Sequence, residues 1–174
     1  MPVTHTSQRD THRGFEREIT MLAKVRTCLW FDGQGEDAAK FYVSLLPNSE
    51  LVSMFRPSPE APPLVIDFTL AGTPYQALNG GPHFKHTEAA SISVTTQDQE
   101  ETDRLWDALT RDGGEESMCG WLKDKFGVSW QLVPEPLMQM LSSSDRDAAG
   151  RAMQAMLKMR RLDVAELRAA FEGK

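Results

Sequence analysis

The chain has 174 residues, 40% of them hydrophobic and 25% charged, with a formal net charge of -6. That length suits one domain with a real core or two small repeated modules, and the acidic balance excludes nucleic acid, which needs a basic surface to displace counterions. Cys28 and Cys119, the two cysteines, make neither a disulfide framework nor a close-spaced metal pattern, which points to a reducing cytoplasm.

The opening residues 1–24 are polar, lack an apolar signal-peptide core, and read as a flexible arm. No apolar run approaches the roughly 20 residues that cross a bilayer, so no membrane partner is expected. From Val25 the punctuation becomes regular. "VRTCLWFDG" is a β-branched and aromatic run closed by Asp-Gly and predicts a strand. "EDAAKFYVSLLPN" places Ala38, Phe41, Tyr42 and Leu45 at helical spacing, with Pro47-Asn48 as its stop. "SELVSMFRP", "PLVIDFTLAG" and "TPYQALNGG" then predict three strands between Pro- and Gly-rich turns.

The same order follows again. "ASISVTT" alternates as a strand, Thr96 and Gln99 have capping-box spacing, and "QEETDRLWDALTRDG" predicts a helix with Leu105, Trp106 and Leu109 on one face. "EESMCGWLKD" and "FGVSWQLVPEP" supply further strands, joined by a hairpin within "CGWLKDKFGVSW". Phe41-Tyr42 and Leu105-Trp106 occupy matching places, so the chain reads as an internal duplication. After Pro136 the composition turns to Ala, Met and Arg. Ser144 with Asp147, and Asp163 with Glu166, mark two consecutive capped helices. The resulting fold is α+β, with duplicated βαβββ modules over 25–82 and 88–136 within 25–136, and a helical extension over 137–174.

The phrases "WFDGQGEDAAKFY", "ALNGGPHFKHTEAASISV", "CGWLKDKFGVSWQLVP" and "AMQAMLKMRRLDVAELRAA" resemble the PhnB-like family. That family belongs to the vicinal-oxygen-chelate superfamily of glyoxalase I and the bleomycin-resistance proteins. It also carries the label "3-demethylubiquinone-9 3-methyltransferase". The resemblance runs from about Val25 to the C-terminus. It implies a cup-shaped sheet from paired modules, helices on its outer face, and a homodimer.

In the wider superfamily the cup holds a divalent metal on four strand positions. Those positions fall here near Thr27, near Asn79 or Gln76, between Ala89 and Ser91, and at Gln131. None supplies the imidazole or carboxylate that a divalent ion prefers, so no metal and no cofactor are expected. His83 and His86 read as loop histidines behind Gly80-Gly81-Pro82. The glycine pairs Gly80-Gly81 and Gly113-Gly114 precede loop or strand, which gives no support for an S-adenosylmethionine site of the common Rossmann-like kind.

Strand alternation then assigns faces. Taking Gln131 as cup-facing places Ser129 and Val133 with it, and Trp130 beneath the helices. The same parity sends Thr27, Leu29 and Phe31 into the cup and Trp30 beneath the first helix. Ala77 and Asn79 join the lining from the fourth strand, Ser91 and Ser93 from the fifth, with Cys119, Trp121 and Asp124 near the wall and mouth. Asp124 also suits a charged turn bonding its own backbone. The expectation is a small-molecule binder without metal, its reaction unassigned. The alternatives are a metal-dependent glyoxalase- or dioxygenase-type enzyme and a non-catalytic drug-sequestering protein.

Overall fold

A computed structural model describes residues 23–174. The arm expected over 1–24 therefore lies, up to residue 22, outside the described residues. The first module runs β1 (Thr27–Phe31), α1 (Gly35–Leu45), β2 (Glu50–Phe55), β3 (Val65–Leu70) and β4 (Thr73–Asn79). The second runs β5 (Ser91–Thr96), α2 (Gln99–Thr110), β6 (Glu115–Glu116), β7 (Trp121–Lys123) and β8 (Ser129–Pro134). Three helices follow: α3 (Glu135–Leu141), α4 (Arg146–Met156) and α5 (Val164–Glu172).

Each module folds into one four-stranded mixed sheet, in the orders β1-β4-β3-β2 and β5-β8-β7-β6. The strand before each helix pairs in parallel with the last strand of its module, and the remaining pairs are antiparallel. Short turns suffice for the antiparallel pairs, whereas a parallel pair needs a longer crossover, and each helix lies within that connection. In register, Cys28 sits opposite Gln76 and Ser93 opposite Gln131.

One core holds the modules together. Its sheet residues are Leu29, Phe31, Ile66, Phe68 and Ala77 from the first module, and Ile92, Leu122, Trp130 and Leu132 from the second. Tyr42 of α1 packs its ring edge-on at 5.2 Å from Trp130 of β8, and Arg104 of α2 donates to the Leu45 carbonyl of α1 at 3.1 Å. The modules thus pack helix side to helix side. The opposite face of each sheet is turned away from this core.

The capping differs from the sequence reading at two of three sites. Asp98, not Thr96, caps α2 by accepting from Glu101 N, while the Thr96 hydroxyl bonds the Thr102 hydroxyl at 2.6 Å. Asp145, not Ser144, caps α4 through Ala148 N. Asp163 caps α5 through Glu166 N as its spacing implies. An aspartate two residues nearer the α2 start, and one nearer the α4 start, competes successfully with the hydroxyl. The extension also holds three helices, because α3 begins directly at the end of β8.

The extension has its own small core of Leu137, Met140, Ala152, Leu162 and Leu167, against which Val133 packs. Gln99 clasps it to α2: its Nε2 donates to the Leu162 carbonyl and its Oε1 accepts from Val164 N. Backbone bonds from Cys119 N to Met159 O and from Gly120 N to Arg160 O, at 2.7 and 2.8 Å, dock the extension on the loop before β7. A Cβ on Gly120 would stand 2.6 Å from the Leu132 carbonyl, so this close approach demands glycine.

Candidate functional site

The first sheet corrects the assigned faces. Leu29 and Phe31 are 8% and 3% exposed and belong to the core with Ala77. Asn79 also points toward α1, where its Oδ1 accepts from Gly35 N at 2.8 Å and its Nδ2 donates to the Pro63 carbonyl. Thr27 is exposed at the start of β1, in step with Leu29. Trp30 lies on the other face, against Phe84 and the backbone of Gly80, with its indole N–H on the Gly81 carbonyl at 2.7 Å. The physical reason is cross-strand pairing: Leu29 stands opposite Ala77 and Ala77 opposite Ile66, so all three share the face that is buried in the core.

The outer face of the first sheet therefore carries Arg26, Cys28 and Trp30 from the β1 segment, with Ser53, Asp67, Gln76 and Leu78 from the other strands. Asp67 organises it. Its carboxylate accepts from Ser53 Oγ and Gln76 Nε2, each at 2.9 Å, and pairs with Arg26 Nε at 3.2 Å. Burial pushes the neighbouring Cys28 thiol pKa up, with Asp67 adding to the shift and Arg26 opposing it. Sequence reasoning missed this group, although Arg26, Cys28 and Trp30 alternate in "VRTCLWFDG" in a pattern compatible with a shared face.

In the second sheet the assigned outer residues do meet. Gln131 Nε2 donates to Ser91 Oγ at 2.8 Å, and Trp121 lies opposite Gln131 in register. Ser129 is 1% exposed, and its hydroxyl has no partner among the described residues. Lys123, opposite Ser129, is ion-paired to Glu88; their hydrogen bond raises the lysine pKa and lowers that of the glutamate. Beside this face lies a cavity of about 440 Å³ lined by Glu88, Glu115, Met118, Cys119, Trp121 and Lys123, among others. Cys119 and Trp121 share it, whereas Ser91, Ser129 and Gln131 do not line it.

Asp124 does not reach a pocket mouth. It is 2% exposed and accepts from Phe126 N, Val128 N, Tyr42 Oη and Trp130 Nε1 at 2.7–3.0 Å. The aspartate bonds its own turn and also ties the two modules together. Cys119 adopts a left-handed φ of 62° and is half-buried. His83 is exposed and His86 half-buried; the His86 ring covers Phe31 at 5.3 Å between centroids.

The donors at the superfamily's metal positions do not fit a divalent ion. Both ends of the Asn79 amide are engaged by backbone, its alternative Gln76 is a neutral amide bound to Asp67, Thr27 is a lone hydroxyl, and Gln131 adds one neutral carbonyl. Nor does the Gly33-Gln34-Gly35 turn suit a cofactor phosphate, because Asn79 already takes the Gly35 N–H at the α1 N-terminus.

With this geometry in place, the family comparison is decisive. Residues 23–133 match the family described as 3-demethylubiquinone-9 3-methyltransferase. The chain belongs to that family. A Bacillus cereus PhnB protein is 35% identical to this PhnB-like chain; the alignment covers 64% of this chain and 98% of that one, with a TM-score of 0.59. A Pseudomonas aeruginosa protein aligns at 22% identity and TM-score 0.54, over 64% of this chain and 96% of that one. The Listeria monocytogenes fosfomycin resistance protein FosX shares the fold at 17% identity and TM-score 0.50, over 70% of this chain and all of that one. No curated protein matches. The family match ends at residue 133, so α3 to α5, and the C-terminal phrase that resembles the family, lie outside it.

Proposed function

We propose that this PhnB-like protein binds a small organic molecule against the outer faces of its sheets, without metal, and acts as a homodimer. The supporting observation is the cavity beside the second sheet. Its volume of about 440 Å³ falls in the range of small-molecule sites, and it combines Trp121, Met118 and Leu122 with the charged side chains of Glu88, Glu115, Glu116 and Lys123. Homodimerisation is supported by the outer side of the first module, where Phe55 and Phe84 are exposed at 57% and 66%. Setting that face of one copy against the second sheet of another would cover this apolar surface and deepen the cavity into a cup.

The metal-dependent alternative is disfavoured because the positions that would carry ligands hold engaged amides and hydroxyls. The methyltransferase label draws no support from the Gly35–Asn79 geometry. A thermal-shift screen of small organic acids, alcohols and amides tests the reading, run with and without chelator. Expected are chelator-insensitive stabilisation by at least one compound and a dimer by light scattering. A screen in which only added transition metals stabilise the protein would replace this reading with the metal-dependent one.

A further inference from the structure

Proceeding from the proposal that the outer sheet faces receive a ligand, we propose that Arg26 holds the carboxylate end of an apolar monocarboxylic acid. Its body lies along Trp30 and Leu78. The polar row runs across all four strands of the first sheet: Cys28 opposite Gln76, Gln76 opposite Asp67, and Asp67 opposite Ser53. Two residues further along, Trp30 stands opposite Leu78, Leu78 opposite Val65, and Val65 opposite Phe55. Polar and apolar rows are thus parallel on one face, about 7 Å apart.

Asp67 is not the group presented to a ligand. It is 7% exposed and already takes three donors, so a cationic ligand could reach it only by displacing Arg26. Its effect is to orient its neighbours. Arg26 gives Nε to Asp67 and Nη1 to the Ala23 carbonyl, and Nη2 has no partner among the described residues. Gln76 turns its Nε2 to Asp67, and its carbonyl oxygen has no partner among the described residues. The charged N–H edge of Arg26 is the donor left to meet an incoming acid group, and the Gln76 carbonyl, an acceptor, takes no part in holding it.

Charge decides the class of that group. The Arg26–Asp67 pair is neutral as a unit, so the guanidinium edge can partly compensate a single negative charge, not two. A planar carboxylate accepts from such an edge through well-directed charge-assisted bonds. A phosphate dianion would bring a second charge with no counterpart in this row. The apolar row, with Phe84 edge-on to Trp30 at 4.9 Å, suits a hydrocarbon or aromatic body.

The test is isothermal titration of the full chain with 2-naphthylacetate, the neutral 2-naphthaleneethanol, and 2-naphthyl phosphate. In the unaltered protein the acid is expected to bind about tenfold more tightly than the alcohol, and the phosphate no more tightly than the acid. Arg26→Gln is expected to remove the preference for the acid while leaving the alcohol unchanged, and Trp30→Ala to weaken both alike. Equal affinities for acid and alcohol in the unaltered protein overturn the head-group assignment and leave the small-molecule site standing; this arm does not depend on any variant folding. A preference that survives in Arg26→Gln, or tighter binding of the phosphate, also overturns it. Binding of none of the three probes counts against this assignment and against the ligand-binding reading of the faces together.

Discussion

Tyr42 Oη donates to Asp124 Oδ2 at 2.7 Å, across 82 positions of chain and from one module to the other. Both residues are buried, and the second carboxylate oxygen is held by the N–H groups of Phe126 and Val128. A buried carboxylate is costly unless its lone pairs are matched by donors, and here four donors converge on it. The turn "KDKFG" is therefore an inter-module bolt.

Asp124→Ala should be the most damaging single change in this region. It strands the Tyr42 hydroxyl and the Trp130 indole N–H in the core, each worth about 1–3 kcal/mol when left unpaired. Urea unfolding is expected to show a loss of about 3–5 kcal/mol. Tyr42→Phe leaves Asp124 three donors and should cost only about 1–2 kcal/mol. A loss under Asp124→Ala no larger than that of Tyr42→Phe would contradict the hub.

The same pair sets an alkaline limit. Burial, followed by the Asp124 charge and its hydrogen bond, raises the Tyr42 pKa well above its ordinary value. Tyrosines in the unfolded chain ionise near pH ~10 while Tyr42 in the fold does not, so above that pH the native state holds more protons and stability falls. The contribution is complete below the unfolded value and declines as pH rises toward the folded one. Burial raises Tyr75 in the same direction, so Tyr42→Phe should reduce the decline between about pH 10 and 11 without abolishing it. Denaturation midpoints at those two pH values provide the measurement.

Gly80 lies under the Trp30 ring, and a Cβ there would meet the ring within 2.2 Å. Gly80→Ala should push the indole off its bond to the Gly81 carbonyl. Expected are a red-shifted tryptophan emission and a stability loss of about 1–3 kcal/mol. Unchanged emission would mean that the loop moves rather than the ring.

Gln99 binds the extension through Leu162 O and Val164 N. Gln99→Ala should loosen residues 159–164 while the core of the two modules stays intact. Hydrogen exchange is expected to speed up at Val164 and, through the lost backbone docking, at Cys119 and Gly120, with little change in β8. Equal acceleration throughout the second module would show that the extension is not a separable unit.

Much of the fold was legible because local signals and tertiary packing agree. Helical spacing at Tyr42 and at Trp106 marked the two helices, and alternation marked the strands, so the doubled βαβββ order followed from the residues alone. Alternation within β8 puts Ser129 and Gln131 on one face, and the structure adds Ser91 by a hydrogen bond and Trp121 by register. In the first sheet the same rule failed. Parity carried over from the other module gives the wrong faces there, because pairing with Ile66 puts Leu29 and Ala77 on the buried side and leaves Trp30 and Gln76 outside. Asp98 and Asp145 replaced the expected caps because a hydroxyl and a carboxylate compete for the same orphan amides, and sequence spacing does not rank them.

By itself, the sequence determined the class of fold, the duplication, the family and the poverty of metal donors, since each depends on residue type and spacing along the chain. Only the tertiary structure decided that the modules pack helix side to helix side, that Asp124 serves the core, and that Arg26, Asp67, Gln76 and Ser53 form one row. Those are relations between segments far apart in sequence. Strand register sets them, and a one-residue difference in register exchanges the two faces of a sheet.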